Sequence, residues 1–239
     1  MGKFKAETLE IFRGLDEKTL DFLENRGEMG SYKRGEFLFF DKDRVEDIYF
    51  IVSGKISMYK STRNAQKRVI YILGDGEFIN EVIFDSLPSS INAEVFEDSI
   101  LIKYNVEELR KIMATDFELS LRVINSLGRK VRRLYRQIKN TVPISLDKKV
   151  AAKLWKLSKD YGKACGGRDS RCMKYRDECS PWTKIDLKIT ITYLANMLGS
   201  SRETISREMK KLENKQLIKW EGKSILVKKE GLSNFFRKD

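Results

Sequence analysis

Between Ser31 and Leu101 the apolar positions come in short β-branched and aromatic runs. These are Phe37-Leu38-Phe39-Phe40, Ile48-Tyr49-Phe50-Ile51-Val52, Ile56-Ser57-Met58-Tyr59, Val69-Ile70-Tyr71-Ile72-Leu73 and Ser99-Ile100-Leu101-Ile102. Turn residues stand between them at Arg34-Gly35, Ser53-Gly54-Lys55 and Gly74-Asp75-Gly76. Such runs bounded by turns predict strands, and many short strands in series predict a roll or barrel. A helix over roughly Leu15–Glu24 precedes them.

From Asp116 the period changes. Phe117, Leu121, Ile124, Gly128, Val131, Tyr135, Ile138 and Val142 follow at alternating spacings of four and three, a heptad seam. A second apolar row, Val123, Leu127 and Leu134, is expected to lie on the roll while the seam meets a partner helix. A single amphipathic helix packed on the roll is the alternative. Pro143 ends or kinks this helix, and Asp147 is expected to cap the next, through Val150, Leu154 and Leu157.

Nearer the end of the chain, Thr190 is placed to cap a helix Ile191–Leu198, and Gly199-Ser200 makes a turn. A second helix, Ser201–Asn214, turns Ile205, Met209 and Leu212 inward, and strands Leu217–Trp220 and Ser224–Val227 follow through Glu221-Gly222-Lys223. That order predicts a helix-turn-helix with a β wing.

Composition adds the partner. The chain has 239 residues and a formal net charge of +12. Residues 1–140 carry 24 Lys+Arg against 23 Asp+Glu, whereas residues 141–239 carry 23 against 12, a net of +11. A neutral domain joined to a basic module is the footprint of a nucleic-acid binder. The apolar runs fall short of a membrane span and the N-terminus lacks a signal-peptide pattern, so a cytoplasmic protein that makes no membrane contact is expected.

The string Ser200-Ser201-Arg202-Glu203-Thr204-Ile205-Ser206-Arg207 supplies the chemistry. Arginine donates a fork to guanine, and glutamate accepts from the cytosine amino group in a major groove. The competing reading is that Arg202 and Glu203 only pair with each other on a solvated helix. No Gly-rich phosphate loop or nucleophile elbow occurs and the chain has no histidine, so an enzyme is not expected.

The segment Ile189-Thr190…Leu194-Ala195…Leu198-Gly199-Ser200-Ser201-Arg202-Glu203-Thr204-Ile205-Ser206-Arg207…Leu212…Leu217-Ile218 resembles the DNA-binding signature of the cyclic-AMP receptor protein / fumarate-nitrate reductase regulator (CRP/FNR) family of bacterial transcription factors. Gly35, Ile51-Val52-Ser53-Gly54-Lys55 and Gly74-Asp75-Gly76-Glu77-Phe78-Ile79-Asn80-Glu81 resemble the same family's cyclic-nucleotide-binding-type β-roll. The resemblance implies an α+β fold: an effector-sensing roll over 1–115, a long dimerisation helix over 116–142, and a winged helix-turn-helix over 143–239 with an insertion at 162–181. It implies a homodimer on double-stranded DNA, with RNA polymerase as a further partner. Arg202 and Arg207 would donate to guanines and Glu203 would accept from cytosine. Thr190, Ser200, Ser201 and Thr204 would hold phosphates, and the half-site would contain a GTGA-like core.

In the resembled family's cyclic-AMP receptors a pocket glutamate binds ribose and an Arg-Ser pair neutralises the cyclic phosphate. Here Asn80-Glu81 is present, but the Arg-Ser positions read Ile91-Asn92, and the helix positions near the base read Leu134-Tyr135. A phosphate buried beside Ile91 would lack a cation, so the expected effector is a small organic compound other than cyclic AMP. Without histidine, a His-ligated haem is excluded. Cys165, Cys172 and Cys179 recur every seven residues in the insertion and leave three readings open: free thiols, a redox switch, or a metal or iron–sulfur ligand set. A second function class also stays open, a nucleotide-binding-type regulator acting on a protein partner without DNA.

Overall fold

A computed structural model describes residues 4–61, 67–139, 145–164 and 181–237. The chain divides into two compact units, Met1–Asn140 and Thr141–Asp239.

The first unit opens with two 3-10 turns and helix α1 (Glu17–Arg26), whose N-cap Asp16 accepts from the Thr19 N–H at 2.7 Å. Strands β1 (Glu28–Tyr32), β2 (Phe37–Phe39), β3 (Asp47–Ser61), β4 (Lys67–Leu73), β5 (Phe78–Ile79) and β6 (Asn92–Asn105) then build one antiparallel sheet. Its order is β1-β6-β3-β4, with β2 on β6 and β5 on β3. The expected turn at Ser53-Gly54-Lys55 is instead a run of bulges within one long strand, β3, paired to β6 from Asp47↔Asn105 to Tyr59↔Asn92. Gly54 sits at φ 104°, and a Cβ there would fall 2.2 Å from the Ser99 hydroxyl oxygen. Glycine therefore lets the strand bend and continue.

Two apolar clusters fill this unit. One gathers Ile51, Ile56, Met58, Leu73, Ile79, Val95 and Leu101 from strands β3 to β6. The other joins Phe12, Phe50, Phe78 and Tyr104 to Leu109 of α2 (Val106–Met113) and to Leu119 and Val123 of α3 (Phe117–Lys139). Phe12 stacks obliquely on Phe50 at 5.0 Å and meets the edge of Phe78 at 6.1 Å.

Helix α3 has two working faces. Leu119, Val123, Ser126 and Lys130 are buried against the rest of the unit. On another face Phe117, Ile124 and Tyr135 are 76%, 56% and 66% exposed in the single chain. The expected roll-facing row holds for Val123; Leu127 is half-buried and Leu134 exposed. The roll offers carboxylates and carbonyls along that line, so polar side chains take the buried stripe.

In the second unit α4 (Leu146–Tyr161) buries Val150, Leu154 and Leu157, and its N-cap is Ser145 rather than Asp147, which stands in the first turn. Strands β7 (Gly162–Ala164) and β8 (Trp182–Ile185) follow, then α5 (Ile191–Leu198), α6 (Arg202–Asn214), β9 (Ile218–Glu221), β10 (Ser224–Lys228) and α7 (Lys229–Arg237). The sheet order is β7-β8-β10-β9, all antiparallel. Phe236 of α7 meets the Trp155 ring of α4 edge-on at 5.8 Å.

Candidate functional site

The helix-turn-helix is fixed by its caps. The Thr190 hydroxyl accepts from the Tyr193 N–H at 3.1 Å, and the Ser201 hydroxyl accepts from the Thr204 N–H at 3.2 Å. Each cap satisfies an amide that the first helical turn leaves open. Gly199 takes φ 64°, the left-handed conformation that ends α5 one residue before the turn into α6. Leu194, Ala195 and Met197 of α5 and Ile205, Met209 and Leu212 of α6 are buried, so the two helices share an apolar interior.

That packing decides which side chains face outward. Arg202, Glu203 and Arg207 are exposed on the first two turns of α6, with Ser201 beside them and Thr204 and Ser200 half-buried. Among the described residues none of Arg202, Glu203 and Arg207 enters an ion pair, so the reading in which Arg202 and Glu203 only neutralise each other gains no geometric support. The Glu203 carboxyl is held below its ordinary 4.5 by its own backbone N–H, the Ser201 hydroxyl and the nearby Arg202. It remains an acceptor across the neutral range.

The wing is braced. Trp182 of β8 lies under two cations, Lys219 of β9 at 4.8 Å and Lys228 of β10 at 4.9 Å, while Lys184 meets Glu221 at 3.4 Å. These contacts hold the β9–β10 hairpin against the sheet that carries it.

In the first unit Glu81 opens a 3-10 turn, Glu81–Asp85, flanked by Asn80 at φ 72° and Ser86 at φ 62°. Two non-glycine residues in the left-handed region mark a locally strained segment. Glu81 is buried, and both carboxylate oxygens are used: Oε1 accepts from the Ser126 hydroxyl at 2.8 Å and Oε2 from the Lys130 ammonium. Lys130 also donates to the Phe78 carbonyl at 2.6 Å. One turn on, Arg133 reaches Glu77 at 2.9 Å and the Ile72 carbonyl at 3.2 Å, and Gln137 donates to the Ile70 carbonyl at 2.5 Å. Burial pushes the Tyr71 phenol beside them up to about 12, with Glu81 adding to the shift, so it stays neutral. Burial pulls the Lys130 ammonium below its ordinary value and Glu81 opposes that pull.

The remaining expected effector residues lie apart from this pair. The Asn92 amide is committed at both ends, accepting from the Asp41 N–H at 3.1 Å and donating to the Tyr59 carbonyl at 3.0 Å. Asn80 donates to the Asp47 carbonyl at 3.3 Å, and its buried oxygen has no partner among the described residues. Ile91 is half-buried immediately before β6, and Leu134 and Tyr135 are exposed. Cys165, Cys172 and Cys179 lie outside the described residues.

Sequence reasoning missed Ser126, Lys130, Arg133 and Gln137. They do recur at four and three residues, but a row of Lys, Arg and Gln reads by default as a solvated face.

A β-roll with an attached long helix, joined in one chain to a winged helix-turn-helix with open arginines on its second helix, defines a DNA-binding transcription regulator with a sensor domain. Residues 29–116 match the cyclic nucleotide-binding domain family and residues 148–235 match the Crp-like helix-turn-helix domain family. The chain is 22% identical over 218 residues to a "CRP-like cAMP-activated global transcriptional regulator" of Mycobacterium tuberculosis, covering 91% of each. It is 23% identical over 215 residues to the "cAMP-activated global transcriptional regulator CRP" of Pasteurella multocida, covering 88% of this chain and 95% of that one. The solved structure of FixK2 from Bradyrhizobium japonicum superposes with a TM-score of 0.72 at 17% identity, over 89% of this chain and 98% of that one. The chain belongs to the CRP/FNR family of transcription regulators.

Proposed function

We propose that this regulator acts as a homodimer that reads a palindromic duplex with GTGA-like half-sites, and that its effector is a compound other than cyclic AMP. The observation that carries the DNA reading is the outward placement of Arg202, Glu203 and Arg207, outside any ion pair among the described residues, on a helix whose opposite side is buried. Two arginine forks and a carboxylate acceptor suit guanine and cytosine edges, and the capped helix start at Ser201 suits a phosphate. Thr190, Ser200 and Thr204 complete that phosphate-binding rim.

Dimerisation is supported by the exposed apolar seam of α3, where Phe117, Ile124, Val131 and Tyr135 share a heptad face. A parallel pair of such helices presents two recognition helices with two-fold symmetry, and hence a palindromic site. The effector reading is supported by charge balance. At Glu77, Glu81, Lys130 and Arg133 two carboxylates already meet two cations, so these four residues offer an entering cyclic phosphate no spare positive charge. A small organic effector and contact with RNA polymerase complete the proposal, and Cys165, Cys172 and Cys179 keep their three readings: free thiols, a redox switch, or a metal or iron–sulfur ligand set.

Fluorescence anisotropy on a palindromic GTGA duplex tests the DNA reading. Affinity falling steeply between 50 and 200 mM salt, as expected for a binder that neutralises several phosphates, supports it. Salt-independent or absent binding overturns it.

A further inference from the structure

Strand β2, the start of β3 and the connection between them line an open cleft of about 500 Å³. That volume falls within the roughly 300–1,000 Å³ of small-molecule sites. Leu38, Phe39, Val45 and Tyr49 form its apolar wall, and Asp43, Glu46 and Asp47 stand around it with Arg44. The connection is pinned at both ends, which preforms the cleft. The Lys42 N–H donates to the Ser89 carbonyl at 2.7 Å, and the Asp43 carbonyl accepts from the Ser89 N–H at 2.8 Å. At the other end the Glu46 carbonyl accepts from the Val106 N–H at 2.7 Å, and the Asp47 carbonyl accepts from the Asn80 amide at 3.3 Å. Glu81 and Lys130 take no part in the lining.

Tyr49 points to a ligand. The residue is 7% exposed, with its ring stacked on Phe39 at 6.5 Å and edge-on to Tyr32 at 6.4 Å. Its hydroxyl has no hydrogen-bond partner among the described residues, whereas a buried phenol ordinarily finds one. Asp47, whose charge acts on Tyr49, is half-buried, and the Lys103 ammonium stands 3.9 Å from it while meeting Glu28 at 2.9 Å. Burial raises the Asp47 carboxyl above its ordinary value, and Lys103 only opposes that rise. Glu46 is exposed and outside any ion pair among the described residues. Three carboxylates against one arginine favour a cation, and the phenol oxygen can accept from an N–H. Among the described residues no three carboxylates gather closely enough to hold a metal ion, and the apolar wall suits an organic body instead. We infer that this cleft binds a small organic ammonium ion. Its charged head sits among Glu46, Asp47 and the Tyr49 hydroxyl, and its apolar body lies on Leu38, Phe39 and Val45. The site is separate from the Lys130–Glu81 contact and does not rest on the DNA reading.

The test is an NMR titration of the full-length protein with 2-phenylethylamine, 3-phenylpropionate and 2-phenylethanol, which carry a cationic, an anionic and a neutral head on one body. The amine is expected to shift resonances of residues 38–49 saturably and to bind about tenfold or more tighter than either analogue, because only it makes charge-assisted hydrogen bonds to the carboxylates. Glu46→Gln and Asp47→Asn are each expected to weaken the amine about fivefold or more, and Tyr49→Phe, which keeps the ring, about threefold. Melting curves check that each variant is folded. If Asp47→Asn does not fold, the exposed Glu46→Gln carries the charge test. Equal or tighter binding of the carboxylate, no saturable shift over residues 38–49 with any probe, or an amine affinity unchanged in both Glu46→Gln and Tyr49→Phe overturns the site.

Discussion

Lys130 and Glu81 form an ion pair across the interface between α3 and the roll, 49 residues apart in sequence and almost wholly shielded from water. It explains why a helix with an apolar seam on one side carries a row of polar groups on the side that is buried. The row is specific where an apolar row would slide: Lys130 meets Glu81 and the Phe78 carbonyl, Arg133 meets Glu77 and the Ile72 carbonyl, and Gln137 meets the Ile70 carbonyl. The exposed seam is thereby held in a defined position.

Arg207→Ala is expected to cost about 1–3 kcal/mol of DNA affinity and to relax preference at one base pair. Its side chain is exposed and outside any ion pair among the described residues, so thermal stability should barely move. Anisotropy titrations against a panel of single-base variants measure both effects; an affinity loss equal on every sequence would make Arg207 a phosphate contact instead.

Ile124→Asp places a charge on the exposed seam of α3. The protomer fold should survive, since the residue is more than half exposed in the single chain, while sedimentation shifts from dimer to monomer. A dimer that persists unchanged would show that the seam is not the contact.

Ser201→Ala removes the hydroxyl that accepts the Thr204 N–H. The expected loss is about 1 kcal/mol of stability of the second unit, read as a lower melting temperature. Ser201→Asp, which restores an acceptor, should recover the melting temperature.

Acid should weaken the second unit through Asp147. The Ser145 side chain, the Lys148 N–H, Lys211 and Lys215 hold its carboxyl below the ordinary 3.8 against the opposing effect of burial. A carboxyl with a depressed folded value binds protons more weakly than in the unfolded chain, so its stabilisation is complete above 3.8 and disappears as pH falls through the lower folded value. Asp147→Asn should therefore melt lower than the natural chain at pH 7 and approach it in strong acid. Parallel curves at all pH values would contradict this.

The second unit was the more legible from sequence, because its signals are local. Thr190, Gly199 and Ser201 act within four residues of themselves, and Ile205, Met209 and Leu212 repeat at helical spacing. The strands of the roll were legible by type but not by extent. Ser53-Gly54-Lys55 has turn composition, yet β6 pairs across it, and only the close approach of Ser99 reveals why glycine is needed there. Asp147 has the chemistry of a cap but lies two residues inside one, since Ser145 already occupies that place. The Lys130–Glu81 pair was the least legible. A buried lysine looks like a surface lysine until its carboxylate, supplied from a distant turn, is placed beside it, and sequence spacing holds no record of that meeting.

The second helix of the helix-turn-helix is expected to read a symmetric sequence. Selection of bound duplexes from a random pool by the full-length protein, with and without candidate small organic effectors, measures this. A palindrome with GTGA-like half-sites centred about one helical turn apart is expected to be enriched. Enrichment of unrelated sequence, of isolated half-sites alone, or of nothing above the starting pool would contradict it.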